Sequence, residues 1–495
     1  MPRHLTRRSA VAALIALAGA ALPAHAALTT MNLGPLTWQT RNGQVINAVH
    51  IDTEFWETDA GETFTDGLVS LGRFKTGFNG RALMSTTYDD GILNDYLEVY
   101  EETRAEVPGV ARVKSVNTAV NPYTRVVTPT SPWNILEGDH LNALTPPVNN
   151  STTFGRSIGI LQFMGHMNRY YTDGAGHNLT IPSIDVVYSP TTSGNFLAGD
   201  KSHIQIDAAY WGTSDIIMHE YGHHVASSLS MDSSPGGAHT FFTDNIRSVR
   251  PGGVNAAGNT GGAALAWSEG LASYLAISAI RDGNLAGTIG GLPAADYDTR
   301  YTDQPQNFNV DLETRKWQSG TTNLTNQGRG EGDESSVGRI LWDLNDNTAG
   351  ESFGGNFGDR ISFGAQTTMS HILRGTDNAG NESMREMWAD LTAVMGTVTG
   401  KAAAGLGAGA KQDQAVARVG DIMTEYAVSA LPTTNGAVGT TPTLRWNEQN
   451  NDNSNLYRVL VFDSAWNIVA DSGAAAANLI ADPNFVAAPV PGPGA

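Results

Sequence analysis

The order of predicted secondary structure along this chain indicates an α+β protein. Up to about residue 150, short runs of β-branched and aromatic residues alternate with Gly and Asn-Gly turns. From about residue 155, apolar residues recur with the 3.6-residue period of helices. Strands that precede a block of helices are typical of α+β folds. With 495 residues, 40% hydrophobic and 16% charged, the chain is long and apolar enough for more than one core.

The same patterns place the individual elements. We expect strands at 45–51, 68–74, 112–116, 184–188, 202–207, 442–446, 456–462 and 466–469. We expect helices at 95–106, 157–171, 263–280, 335–344, 363–373, 383–394 and 412–430, and a further one that begins at 213–215 and ends near 229. The Gly/Ala-rich segment 396–409 is predicted to be a flexible connector.

The first 26 residues have the pattern of a secretory signal peptide. Arg3, Arg7 and Arg8 precede an apolar run over 10–22, and a small-x-small site ends at Ala26. This run is too short to span a bilayer, which needs about 20 residues. We therefore expect a secreted, extracellular or periplasmic protein without a transmembrane segment in the mature chain. Because exported eukaryotic proteins of this size usually carry disulfides, the absence of cysteine points to a bacterial source.

Charge and cysteine content exclude several classes of function. The formal charge is −19, and becomes −22 without Arg3, Arg7 and Arg8, so binding to nucleic-acid phosphates has no electrostatic support. The absence of cysteine excludes thiol catalysis, iron–sulfur clusters and Cys-ligated zinc. Any zinc in this protein must be held by His and carboxylate side chains.

One segment has the spacing of a metal site. His219, Glu220 and His223 form an H-E-x-x-H motif, and its neighbours within the predicted helix carry no charge. On a helix the two imidazoles are one turn apart and project the same way, so both can bind one metal ion. Glu220 could then reach a water molecule on that metal. The alternative is a buried helix whose histidines are satisfied by protein hydrogen bonds.

A third ligand is needed if zinc is to keep an open position. The best candidate is Glu269 in Trp267-Ser-Glu-Gly-Leu-Ala272, because it lies on an otherwise apolar predicted helix. A lone buried carboxylate there is costly unless a cation compensates its charge. The alternative is that Glu269 faces solvent.

These two motifs resemble those of the gluzincin metallopeptidases, the thermolysin-like and bacterial-collagenase-like enzymes. Their pattern is H-E-x-x-H on one helix and W-x-E-G-x-A on a later one, and the resemblance covers about residues 155–430. It implies a zincin-type catalytic domain, in which a mixed sheet is followed by a helical lobe. It also implies that His219, His223 and Glu269 bind Zn²⁺ and that Glu220 is the general base and acid.

Two positions depart from that family. Thermolysin-like members place an Asp four residues after the ligand Glu to orient a ligand His, whereas this chain has Ser273. Around Asp333, where some relatives have a His that stabilises the oxyanion, this chain has acids. His239, Tyr301 and His371 remain alternative candidates for the oxyanion donor.

The chain therefore divides into five predicted parts. They are a signal peptide (1–26), a β-rich N-terminal region or propeptide (27–150), a zinc metallopeptidase domain (155–430), a linker (431–441) and a partial fibronectin type III-like β module with a Pro/Gly tail (442–495). Oxygen-rich clusters at 343–347 and 377–382 could bind Ca²⁺, although such clusters are more often turns.

The predicted function is that of a secreted zinc endopeptidase, a monomer that acts on polypeptide substrates. By the family resemblance, the strand around His203–Asp207 would pair with an extended substrate. Two alternatives remain open. One is an exported surface or adhesion protein with a structural or vestigial zinc site, and the other is a zinc exopeptidase on the same scaffold.

Overall fold

A computed structural model describes most of the chain between Thr29 and Asp471. The described residues are 29–57, 69–86, 96–127, 133–136, 140–143, 148–173, 177–232, 234, 262–289, 300–303, 308–312, 317–319, 322–324, 333–345, 362–374, 380, 384–412, 415, 422, 460–462 and 468–471. The predicted signal peptide, linker and strand 442–446 lie outside these residues, as does almost all of the predicted helix 412–430.

Strands are frequent in the first third of the described chain. They are β1 (Thr29–Leu33), β2 (Thr37–Gln39), β3 (Val45–Asn47), β4 (Asp52–Glu57), β5 (Val69–Lys75), β6 (Ala82–Thr86), β7 (Tyr96–Arg104), β8 (Glu106–Val107), β9 (Ala111–Lys114), β10 (Thr124–Val127), β11 (Trp133–Leu136) and β12 (His140–Ala143). Later strands are β13 (Ile184–Val187), β14 (Phe196–Leu197), β15 (His203–Gln205), β16 (Arg300–Asp303), β17 (Phe308–Asp311), β18 (Trp317–Ser319), β19 (Thr322–Leu324), β20 (Leu460–Phe462) and β21 (Ile468–Asp471).

The helices follow the first group of strands, as the sequence predicts. They are α1 (Thr153–Thr172), α2 (Ser214–Ser228), α3 (Gly262–Arg281), α4 (Leu285–Thr288), α5 (Glu334–Asn345), α6 (Gly364–Thr367), which continues as a π-helix over Thr368–Leu373, α7 (Met384–Met395) and α8 (Val398–Ala403). The protein is a mixed α+β structure with several small sheets, which confirms the general fold class.

The chain forms two compact units. The first comprises Met1–Pro108 and Ala119–Gly159, and the second comprises Gly109–Thr118 and Ile160–Ala495. In the first unit, one sheet has the order β12-β1-β6 and another has β10-β7-β4-β5, with β11 also paired to β7. Their apolar side chains form a buried cluster of Met31, Phe55, Ala82, Met84 and Val99. This cluster supplies the first unit with a hydrophobic core.

The predicted helix at 95–106 is wrong, because these residues form strand β7. β7 pairs with β4 and β10, and its side chains alternate, with Val99, Glu101 and Thr103 buried. The helix-favouring Glu content of this segment is overridden by that pairing. Buried Glu101 accepts a hydrogen bond from Thr103 Oγ1 at 2.6 Å, and Arg104 pairs with Glu54 and Glu102 at 2.6 and 2.7 Å. Arg104 therefore pairs with one glutamate on its own strand and with one on β4.

In the second unit, four strands lie in the order β14-β15-β13-β9. β9 runs parallel to β13, so a strand that the sequence assigned to the N-terminal region belongs to this unit. β15, the expected partner of a substrate strand, is already paired on both sides, with β13 and with β14. The expectation that β15 itself receives an extended peptide is therefore wrong. The sequence missed β14 because it is only two residues long.

The predicted helices of the second unit that lie within the described residues agree with the structure within a few residues. The clearest difference lies at 396–409, where the expected connector contains helix α8. Thr397 caps this helix, because its hydroxyl accepts a hydrogen bond from the backbone N–H of Gly400. At the C-terminal end, β20 and β21 pair as an antiparallel two-stranded sheet.

None of the described helices is both long enough and apolar enough to cross a membrane.

Candidate metal centre

The H-E-x-x-H motif lies on α2, a helix that is buried on every side. All residues from Ser214 to Ala226 are buried, as the uncharged neighbours of the motif indicated. The helix is held by polar contacts at its flanks. Tyr221 accepts a hydrogen bond from Asn168 Nδ2 at 2.9 Å, and His224 Nε2 donates to the carbonyl of Pro182 at 2.8 Å. His224 thus binds a backbone carbonyl, in contrast to the two histidines of the motif, whose Nε2 atoms face Glu269.

Helix α3 packs against α2 and brings the predicted third ligand to the motif. His219 Nε2 lies 3.1 Å from Glu269 Oε2, and His223 Nε2 lies 3.3 Å from the same oxygen. The two Nε2 atoms are 3.2 Å apart, and the imidazole planes are nearly perpendicular at 89°. Glu269 is largely buried and does not face solvent. The three side chains therefore converge on one point.

The spacing of these atoms fits a zinc ion. Bonds of about 2.0–2.1 Å at tetrahedral angles separate ligand atoms by about 3.3–3.4 Å. The three observed separations are 3.1, 3.2 and 3.3 Å. Among the described residues, His219, His223 and Glu269 form the one group of three such side chains that could hold a metal ion. The donor set of two imidazoles and a carboxylate is one that zinc accepts in open sites.

The close approach of α2 and α3 depends on a glycine between the two histidines. A Cβ added to Gly222 would lie 2.8 Å from the carbonyl oxygen and 3.1 Å from the Cα of Ala272. Any side chain at this position would push the two helices apart. The glycine of the motif thus sets the distance at which α3 presents Glu269 to the imidazoles.

Helix α3 is held equally closely on its other side by α5. A Cβ on Gly270, the residue after Glu269, would lie 2.5 Å from both the Glu334 carbonyl oxygen and Val337 Cβ. At the end of α3 nearest Glu269, Trp267 Nε1 donates to the Met231 carbonyl at 3.0 Å. The carboxylate therefore stands on a helix clamped between two others.

The electrostatics of the site favour a positive charge. Burial alone lowers the pKa of His223, but the carboxylates of Glu269 and Glu220 outweigh it and raise that pKa to about 9. A field that holds a proton at a buried imidazole will also attract a metal cation. Glu220 is buried beside His219 and lies close enough to act on His223 electrostatically.

The other nitrogen of each imidazole has a partner that the sequence did not identify. Ser273 Oγ lies 3.1 Å from His219 Nδ1, and Ser268 Oγ lies 3.2 Å from His223 Nδ1. Both serines are buried on α3. Thermolysin-like enzymes have an Asp at the position of Ser273. The serine of this chain contacts His219 from the same position. The sequence could have indicated Ser273 by its spacing, because it lies one helical turn after Glu269 and therefore on the same face of the helix.

The side chains of the three candidate oxyanion donors are not among those that the structure describes. His239 lies outside the described residues, and the side chains of Tyr301 and His371 do as well. The backbone of Tyr301 belongs to β16, which lies against α2. His371 belongs to the π-helical segment.

The calcium candidates stand largely outside the described residues. Of 377–382, only Gly380 is described. Of 343–347, Asp343 and Asn345 lie at the end of α5, where Asn345 Nδ2 donates to Asp282 at 2.9 Å. Calcium binding stays a prediction.

We compared the chain with known proteins by sequence and by structure. No protein-family model matches it, and neither a curated protein nor a solved structure does so. What can be said of its function rests on the residues and geometry described above.

Proposed function

We propose that this chain is an exported zinc-dependent endopeptidase with a zincin-type catalytic domain. The observation that carries the proposal is the convergence of His219 Nε2, His223 Nε2 and Glu269 Oε2, which lie 3.1–3.3 Å from one another. Three protein ligands leave one tetrahedral position for substrate or water, as catalytic zinc sites require. The general base expected by the motif, Glu220, is buried next to the first ligand.

Each residue has a defined task in this proposal. His219, His223 and Glu269 hold the metal ion. When bound, zinc supplies a Lewis acid that polarises the scissile carbonyl and lowers the pKa of a water molecule. Glu220 accepts a proton from the attacking water and donates it to the leaving amine. Burial of Glu220 in a largely apolar helix keeps its carboxylate away from bulk water, which strengthens its electrostatic effect on the reaction.

In this proposal, the backbone of β14 forms the hydrogen bonds to an extended substrate. Both neighbours of β15 are occupied, whereas β14 is paired with β15 alone among the described strands. β14 also lies against α2, the helix of the metal motif. A peptide added beside Phe196 and Leu197 would therefore pair with a strand that contacts the helix of His219 and Glu220.

The test compares metal content and proteolysis in the exported chain and its variants. Elemental analysis should find about one zinc per chain, and casein or gelatin should be cleaved. Glu220→Gln should keep the zinc and lose about 10²–10⁴-fold in rate, because only the proton transfer is removed. Glu269→Ala should lose both zinc and cleavage. Glu386→Gln, an exposed Glu on α7, is the matched control and should behave as the parent.

The outcomes separate the proposal from its alternatives. If Glu220→Gln cleaves as fast as the parent, the assigned mechanism is wrong. Zinc that binds with no peptide cleaved under any condition would favour a structural site on an exported surface protein. Cleavage confined to peptides with a free amino terminus would favour an exopeptidase, which end-blocked peptides would reveal.

A further inference from the structure

The helix that carries Glu269 also provides a hydroxyl for each of the two histidines. Ser268 and Ser273 flank the carboxylate on α3, and their Oγ atoms lie 3.2 Å from His223 Nδ1 and 3.1 Å from His219 Nδ1. Both serines are almost fully buried, at 1% and 3% exposed. Neither hydroxyl is therefore facing water, and each has an imidazole as its neighbour.

The two nitrogens of an imidazole have coupled roles. A neutral ring carries one N–H and one lone pair, and the hydrogen bond at one nitrogen selects which is which. Here both Nε2 atoms point to Glu269 and to each other, at the centre where a metal ion would bind. For both Nε2 lone pairs to face that centre, both protons must reside on Nδ1. A serine oxygen at hydrogen-bond distance is a suitable acceptor for each proton.

We propose that Ser268 and Ser273 are positioning residues for the metal ligands. Each serine oxygen accepts a hydrogen bond from the Nδ1–H of its histidine, which selects the tautomer and restrains the rotation of the ring. α3 thus supplies one metal ligand and both restraints on the other two. The inference rests on the metal site of the proposed function, and it holds whether the bound metal is catalytic or structural.

A neutral partner has a physical consequence for the site. A carboxylate that accepts a hydrogen bond from Nδ1–H makes the imidazole a stronger ligand and adds a negative charge near the metal. A hydroxyl orients the ring without that charge. Glu269 is then the one ligand in the set that brings a negative charge to a divalent ion, which leaves the centre with a net positive charge to act on a substrate carbonyl.

The experiment measures zinc affinity by competition with a chromophoric chelator. Ser268→Ala and Ser273→Ala should each weaken zinc binding about 10–100-fold, the range found when such hydrogen bonds are removed. Ser273→Thr keeps the hydroxyl and should bind zinc as the parent does. Ser278→Ala is the matched control, because Ser278 is an equally buried serine five residues further along α3. Its affinity for zinc should be unchanged.

Two further readouts exclude a general structural effect. The Co²⁺-substituted protein should show a changed visible absorption spectrum in Ser268→Ala and Ser273→Ala, because the spectrum reports the ligand geometry. The metal-free variants should stay folded and unfold cooperatively in urea, with a midpoint lowered by no more than the loss of one buried hydrogen bond explains. Parent-like zinc affinity and Co²⁺ spectra in both alanine variants would overturn the inference.

The test also distinguishes this inference from the proposed function. A parent protein that binds zinc and cleaves peptides, with alanine variants that bind equally well, refutes the role of the serines alone. A parent that binds zinc in a serine-dependent way but cleaves nothing refutes the peptidase and leaves the positioning role in place. A parent that binds no zinc refutes both.

Discussion

Replacing Gly222 by Ala tests whether helix packing sets the geometry of the metal site. The added Cβ would lie 2.8 Å from the Ala272 carbonyl oxygen. A normal contact needs about 3.4 Å or more, so α2 and α3 must separate by about 0.6 Å. Metal ligands tolerate deviations of only about 0.2 Å. Because His219 stands on one helix and Glu269 on the other, their 3.1 Å separation widens and zinc affinity should fall at least about tenfold.

The direction of the change in unfolding free energy shows whether the added Cβ of Gly222→Ala overpacks the contact between α2 and α3. In an unconstrained helix, Gly→Ala stabilises by about 1 kcal/mol through helix propensity. Overpacking against the Ala272 backbone opposes this with about 1–3 kcal/mol. The free energy of unfolding of the metal-free variant should therefore be unchanged or lower by up to about 2 kcal/mol, as measured by urea titration.

The control is Gly199→Ala, because a Cβ at Gly199 would meet no atom within 4 Å. It should leave both zinc affinity and the urea midpoint unaffected. Our account of the helix contact would be refuted if Gly222→Ala bound zinc as tightly as the parent and its metal-free form were more stable. Such a result would mean that α2 and α3 adjust freely.

Two other predictions concern the support of the site. His166 donates from Nε2 to the Ala279 carbonyl at 2.9 Å, and burial, offset in part by that carbonyl and assisted by Arg169, lowers its pKa to about 4. Since its unfolded pKa is about 6.5, the neutral ring stabilises the fold above that pH, and up to about 3 kcal/mol is lost as pH falls toward 4. Urea titrations of the metal-free protein should show a flatter pH dependence for His166→Gln, and an identical dependence would contradict this assignment. Asp333 caps α5 by accepting hydrogen bonds from the N–H groups of Ser335 and Ser336 at 2.9 and 3.1 Å. Asp333→Ala should lower the free energy of unfolding by about 1–2 kcal/mol, whereas Asp333→Asn keeps an acceptor and should lose less; equal losses would exclude the cap as the cause.

Local patterns predicted the helices well and some of the strands poorly. α3 is mostly apolar, α5 has strong helical periodicity and α2 carries the motif between uncharged neighbours, so their existence follows from residues near one another in the chain. β7 was mistaken for a helix because its glutamates favour helices in isolation, while its three strand partners come from other segments of the chain. A short strand such as β14 is defined by its pairing with another strand, and its own two residues do not predict that pairing.

For the candidate site, the sequence by itself determined the kinds of metal ligand available. The lack of cysteine left His and carboxylates, and the spacing of His219 and His223 placed two imidazoles on one helical face. That inference needs only the geometry of a helix, because the two residues lie one turn apart on the same helix. The position of Glu269 on an otherwise apolar predicted helix then made it the best candidate for a third ligand, and the family resemblance implied the same residue.

Only the tertiary structure decided how the two motifs meet. His223 and Glu269 are separated by 45 residues, and their 3.3 Å contact depends on the packing of α2 against α3 at Gly222. The same packing places Ser268 and Ser273 beside the ligand rings. Side chains that are distant in sequence are brought together by the shape of two helix surfaces. Their juxtaposition is a property of the folded core, which spacing along the chain does not encode.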